Sequence, residues 1–165
     1  MTATYEKIAT TTLGSAAATV TFSSISGSYT DLVLICSASN SGASSINIAA
    51  QVNSDTASNY SSTRLFGSGA VAGSDRQTSN TSFISGRSSA TGNSKAVSIC
   101  NFQNYSNTTT YKTMISRGND AASITAVSAS LWQSTSAINS ILLLSLSAVN
   151  FEAGSTFTLY GIKAE

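Results

Sequence analysis

The sequence predicts an all-β fold, an antiparallel β-sandwich of jelly-roll-like type built as one domain over residues 1–165. Three observations predict it. β-branched and aromatic residues gather in short runs separated by Gly, Asn and Ser clusters, and Pro is absent. Apolar residues at the three-and-four spacing of an amphipathic helix are scarce. The runs recur roughly every 8 to 15 residues, a spacing typical of sandwiches and barrels, and a jelly roll is the common solution at this size.

In chain order, strands are expected over 5–10 (YEKIAT), 17–22 (AATVTF), 31–39 (DLVLICSAS), 45–52 (SINIAAQV), 60–66 (YSSTRLF) and 80–85 (NTSFIS). Further strands follow over 94–103 (SKAVSICNFQ), 110–116 (TYKTMIS), 122–132 (ASITAVSASLW), 138–146 (INSILLLSL) and 155–163 (STFTLYGIK). Successive side chains of a strand point to opposite faces. The last strand therefore sets Phe157, Leu159 and Gly161 against Thr156, Thr158, Tyr160 and Ile162. The strand over 122–132 sets Ile124, Ala126, Ser128 and Ser130 against Thr125, Val127, Ala129 and Leu131. Both faces carry apolar residues, which predicts cover on both sides by a second sheet or another subunit. The segments 67–80 (GSGAVAGSDRQTSN) and 86–93 (GRSSATGN) are expected as loops by composition.

Composition narrows the partners. Ser and Thr supply 55 residues and charged residues only 9%, against about 25% in ordinary soluble domains. The hydrophobic fraction of 41% is spread along the chain, enough to build a core rather than a disordered tract. Net charge is +1, and the eight cations are scattered singly from Lys7 to Lys163, so no basic stripe is available for nucleic acid. Apolar runs such as Leu32–Cys36 fall far short of the ~20 residues of a membrane helix. The opening MTATYEKIATTT is unlike a secretory signal, and synthesis in the cytoplasm is expected.

The chemistry available is limited. There is no His, which removes the usual general base near neutral pH and the commonest metal ligand. Cys36 and Cys100, both inside apolar runs, read as buried reduced thiols, with a cross-strand disulfide left open. They lack the paired spacing of a zinc site. The carboxylates Asp31, Asp55, Asp120 and Glu152 flank turns, where short polar side chains satisfy backbone groups, so a glycosidase pair is not the expected reading. GSGAVAG at 67–73 lacks the helix that a phosphate loop needs. No cofactor and no metal is implied. The four Asn-x-Ser/Thr triplets at Asn59, Asn80, Asn104 and Asn107 match chance in so Ser- and Thr-rich a chain. Aromatics beside polar residues are the candidates for binding a glycan: Tyr60 with Arg64, Tyr105 with Tyr111, and Trp132 with Gln133. Core or subunit contact is the commoner use of such rings, and Trp132, at the end of an apolar alternation, is expected in the core.

Several segments, taken in order, resemble a family of small virion proteins of tailed bacteriophages, frequent among phages of cyanobacteria and other aquatic bacteria. The most specific are SYTDLVL at 28–34, NYSNTTTYK at 104–112 and GSTFTLYGIKA at 154–164, and the resemblance spans nearly the whole chain. It implies a virion structural protein: a capsid cement or decoration protein, or alternatively a tail or tail-fibre component; if the latter binds a host receptor or surface glycan, Tyr60, Arg64 and the 67–80 loop are the first candidates from the aromatic and polar pattern above. It implies no catalytic residue. In that role the expected partners are the major capsid protein or other virion proteins, and the chain is expected to form a homo-oligomer, a homotrimer at a local threefold being one form of it. Strand-like sequence from Tyr5 to Lys163 leaves no fibre shaft, which favours the compact capsid-bound form.

Overall fold

A computed structural model describes residues 4–120 and 124–163. Twelve strands run through them: β1 (Tyr5–Thr12), β2 (Thr19–Phe22), β3 (Asp31–Ala38), β4 (Ile46–Val52), β5 (Tyr60–Ser68), β6 (Val71–Asn80), β7 (Phe83–Ser88), β8 (Ala96–Gln103), β9 (Lys112–Asp120), β10 (Ile124–Trp132), β11 (Ile141–Ser145) and β12 (Thr156–Ile162). They form two antiparallel sheets, one of eight strands in the order β1-β12-β3-β8-β9-β10-β5-β6 and one of four in the order β2-β11-β4-β7. The fold is the all-β, jelly-roll-like antiparallel sandwich that the strand pattern predicts.

Each of the eleven expected segments contains a strand, with ends moved by a few residues. The first two positions of the 122–132 segment lie outside the described residues. The segment 67–80 is a correction: it is not a loop but the end of β5, a two-residue hairpin turn and β6, the longest strand, at an edge of the large sheet. Gly69, at φ +58°, supplies the left-handed turn conformation. Gly73 lies so near Phe66 that a Cβ there would sit 2.9 Å from the ring. β6 escaped the sequence reading because an edge strand with one wet face needs no apolar alternation. The expected loop 86–93 is corrected in part, since Gly86, Arg87 and Ser88 complete β7.

The alternation fixes the interior. Phe157 and Leu159 of β12 are fully buried while Thr156, Thr158, Tyr160 and Ile162 are partly covered. Leu32, Leu34 and Cys36 of β3 and Cys100 and Phe102 of β8 continue the same buried layer. The small sheet closes it with Val20, Phe22, Ile48, Ala50, Val52, Phe83, Ile141 and Leu143. Aromatic rings lock the middle: Tyr60 meets Phe83 edge-on at 5.0 Å, Phe83 meets Phe102 at 5.9 Å, and Tyr60 stacks on Trp132 at 6.2 Å.

The interior also holds many serines, and β7 explains several. It is an edge strand of the small sheet lying across β8 and β9. Three of its backbone groups find side chains of the large sheet: the Arg87 amide donates to Ser98 Oγ (3.1 Å), Ser116 Oγ donates to the Ile84 carbonyl (3.1 Å), and the Cys100 thiol donates to the Ser85 carbonyl (2.8 Å). A buried backbone group without a partner costs as much as a lost hydrogen bond. Hydroxyl and thiol side chains thus meet β7 where no further strand does.

Candidate functional site

The residues singled out for glycan binding do not lie together on the surface. Tyr60 opens β5 on the inner face and is 1% exposed. Its hydroxyl donates to the Asp55 carbonyl (3.0 Å) and accepts from the Val52 amide (3.2 Å). Burial pushes its phenol up to about 12. A ring held between Phe83 and Trp132 has no face left for a sugar, which corrects its reading as a binding residue. Arg64, four positions on, shares that inner face by strand parity. Its guanidinium donates through Nε to Asp75 Oδ2 (3.1 Å), pairs with the same oxygen through Nη2, and lies 5.0 Å from the Phe66 ring. Arg64 therefore ties β5 to β6 and is a structural residue here. Tyr105 is buried with its hydroxyl on the Ser26 carbonyl, whereas Tyr111 is exposed. Trp132 is in the core, as expected, while Gln133 is exposed.

The carboxylates serve the backbone and its neighbours. Asp55 accepts from the Ala57 amide (2.9 Å), Asn59 Nδ2 (3.0 Å) and Trp132 Nε1 (2.7 Å). The Asn59 bond, joined by those from Trp132 and Ala57, holds its carboxyl below the ordinary value against the opposing effect of burial. Asp31 Oδ1 accepts from the Asn104 amide (2.7 Å), and Glu152 takes the Thr91 hydroxyl. Asp75, within the segment expected as a loop, lies in β6. Asp120 ends β9, buried, with the Ser45 hydroxyl on its Oδ2. Cys36 and Cys100 are free buried thiols; burial pushes Cys36 up to about 12 and Cys100 well above its ordinary value. Among the described residues no three Cys, Asp or Glu converge as a metal-binding group.

The surface feature that stands out is the outer face of the eight-stranded sheet. Among the described residues eight large apolar side chains are exposed, and five of them, Tyr5, Leu65, Val97, Ile115 and Val127, lie there. Register aligns them in rows across the strands. One row runs Thr158, Ile35, Ile99, Arg117, Val127, Leu65, and the next runs Lys7, Tyr160, Val33, Asn101, Ile115, Ala129, Thr63, Arg76. Tyr5 and Tyr160 meet edge-on at 6.5 Å at one margin. Between Tyr5, Val33, Ile99, Ile115 and Val127 lies a shallow open depression of about 470 Å³. Sequence reasoning reached half of this: apolar residues on both faces of β10 and β12 predicted cover on the second face, but the assembly of those faces into one surface needed the strand order.

No protein-family model matches the chain, and no curated protein matches it. Among solved structures, the galectin LEC-6 of Caenorhabditis elegans aligns over 94% of this chain and 96% of its own, at 8% identity and a TM-score of 0.35.

Proposed function

We propose that this chain is a structural protein of a tailed-phage particle, a capsid cement or decoration protein that binds the capsid lattice and stabilises it by bridging neighbouring subunits. Its role in that reading is binding rather than turnover, and its place is the virion. The resemblance of the 28–34, 104–112 and 154–164 segments supports the particle assignment. The observation that carries the docking role is the outer face of the large sheet, where five of the eight exposed large apolar side chains among the described residues are gathered. Scattered apolar residues are ordinary on a surface, whereas a contiguous apolar patch marks an interaction site. The low charge density limits repulsion between many copies on one shell, and weak contacts repeated over a lattice sum by avidity. The long unpaired edge β6 offers a second contact, through which copies would join as trimers. Quantitative mass spectrometry of purified virions tests the proposal: hundreds of copies per particle are expected. A few copies relative to the major capsid protein would sink it.

A further inference from the structure

The chain's eight cations divide sharply. Arg64 pairs with Asp75, and Lys163 with Glu6. Lys112 is buried and donates to the Thr110 and Thr135 carbonyls, at 2.7 and 3.1 Å. Arg87 donates to Asn47 Oδ1 and the Ser45 carbonyl, and Lys95, exposed and, like the three that follow, without an ion pair among the described residues, precedes β8 and lies near the Gly154 turn rather than within a strand of the face. The remaining three, Lys7, Arg76 and Arg117, are exposed and have no ion-pair partner among the described residues. All three lie on the outer face of the large sheet, amid the exposed apolar side chains. Among the described residues one carboxylate, Asp31, shares that face by register, and it is engaged by the Asn104 amide.

Lys7 is on β1, Arg117 on β9 and Arg76 on β6, so the cations mark one margin, the middle and the other margin of the sheet. At ~4.8 Å between strands they stand roughly 19 Å and 14 Å apart across it. Those gaps exceed the ~8–10 Å screening length at physiological salt, so each cation acts as a separate contact. The gaps are filled by Val33, Ile99, Ile115, Val127 and Leu65 rather than by further cations. Seven strand gaps by about six residues give a face on the order of 700 Å², close to one partner's share of a standard protein interface.

We infer that this face docks on a protein surface that is apolar and carries carboxylates opposite Lys7, Arg117 and Arg76. The inference rests on the reading of the face as a docking surface and adds the chemistry of the partner. Two copies set face to face would oppose like charges, which disfavours self-association through this surface. A nucleic acid would need a closely spaced row of cations, where here apolar side chains intervene.

The test uses the full chain and a soluble fluorescein-labelled peptide of Glu-Leu-Ser repeats, with Lys-Leu-Ser repeats and polyuridylate as comparisons, read by fluorescence anisotropy. The acidic peptide is expected to bind at least tenfold more tightly than the basic one, and to weaken as salt rises. Replacing the cations together (Lys7→Gln, Arg76→Gln and Arg117→Gln) is expected to cost tenfold or more with Tm unchanged. Val127→Ser alone should cost severalfold. Equal binding of acidic and basic peptides, or binding indifferent to these substitutions, would overturn the inference. So would polyuridylate bound as tightly and lost with the same variants, or a change of oligomeric state on Val127→Ser in sedimentation, which would assign the face to a second copy. Low copy number in virions would remove the cement role and leave this result standing, so the two failures are distinguishable.

Discussion

Within its six residues, β7 meets the large sheet in two unlike ways. At one end Phe83 drives a ring between Tyr60 and Phe102, holding the sheets apart with bulky apolar side chains. Three residues later Gly86 brings backbone against Ser98 and near Gly118, with no side chain between. The first arrangement removes much apolar surface from water, which is the main favourable term in folding. The second removes little and instead supplies partners for the β7 backbone through Ser98, Ser116 and Cys100. The difference teaches how a chain one-third Ser and Thr builds a core. A few aromatics carry the burial, and small hydroxyl residues let an edge strand lie close on a sheet.

Substitutions at the two ends sharpen that contrast. Phe83→Ala is expected to have the largest effect, a loss of about 3–5 kcal/mol in denaturant unfolding; a loss below about 2 kcal/mol would break the claim that burial resides at this end. At the other end, a Cβ on Gly86 would fall 2.0 Å from Ser98 Oγ and 2.3 Å from Ser98 Cβ, and Gly86→Ala should cost about 2–3 kcal/mol. Ser98→Gly in the same chain should return part of that loss, giving a coupling of about 1 kcal/mol in a double-mutant cycle. Absence of coupling would remove close approach as the cause.

Ser116→Ala leaves the Ile84 carbonyl without its hydroxyl and is expected to cost about 1–2 kcal/mol, with faster amide exchange along β7. A cost equal to that of Phe83→Ala would erase the distinction between the ends. The smallest effect is expected at Asp55, which anchors Trp132 on the aromatic side. Its carboxyl is held below the ordinary value of 3.8 by Asn59 first, then Trp132 and Ala57. The stability it contributes is present above that value and is lost as pH falls through its lower, folded-state value. Asp55→Asn should therefore flatten the acid limb of a stability–pH curve; an unchanged acid limb would count against the assignment.

The strands were legible where both the apolar alternation and the flanking turn residues were present, as in LVLICSA of β3 and TFTLYGI of β12. β6 was not, because Arg64 and Phe66 of its neighbour, rather than its own apolar residues, settle VAGSDRQTSN into the sheet. Polar groups make Tyr60 and Arg64 binding candidates in the sequence, with core contact the commoner use of such a ring, and those groups are answered within the fold by Asp55, Val52 and Asp75. The cations of the proposed docking face were visible only as singles at 7, 76 and 117. Nothing in their sequence spacing tells that β1, β9 and β6 belong to one sheet.

What the sequence by itself determined was the strand content and, through the two-residue period, which side chains of each strand travel together. Val127 had to face away from Ser128 whatever the fold, because the pleat allows nothing else. Which of the two sets is covered was decided by tertiary structure alone. Pairing partners such as Arg117 and Val127 come from separate strands, and the small sheet covers one face of the large one. Covering is a matter of long-range docking, so the same alternation that specifies a strand leaves open which face is sealed with Phe83 and which is left to meet another surface.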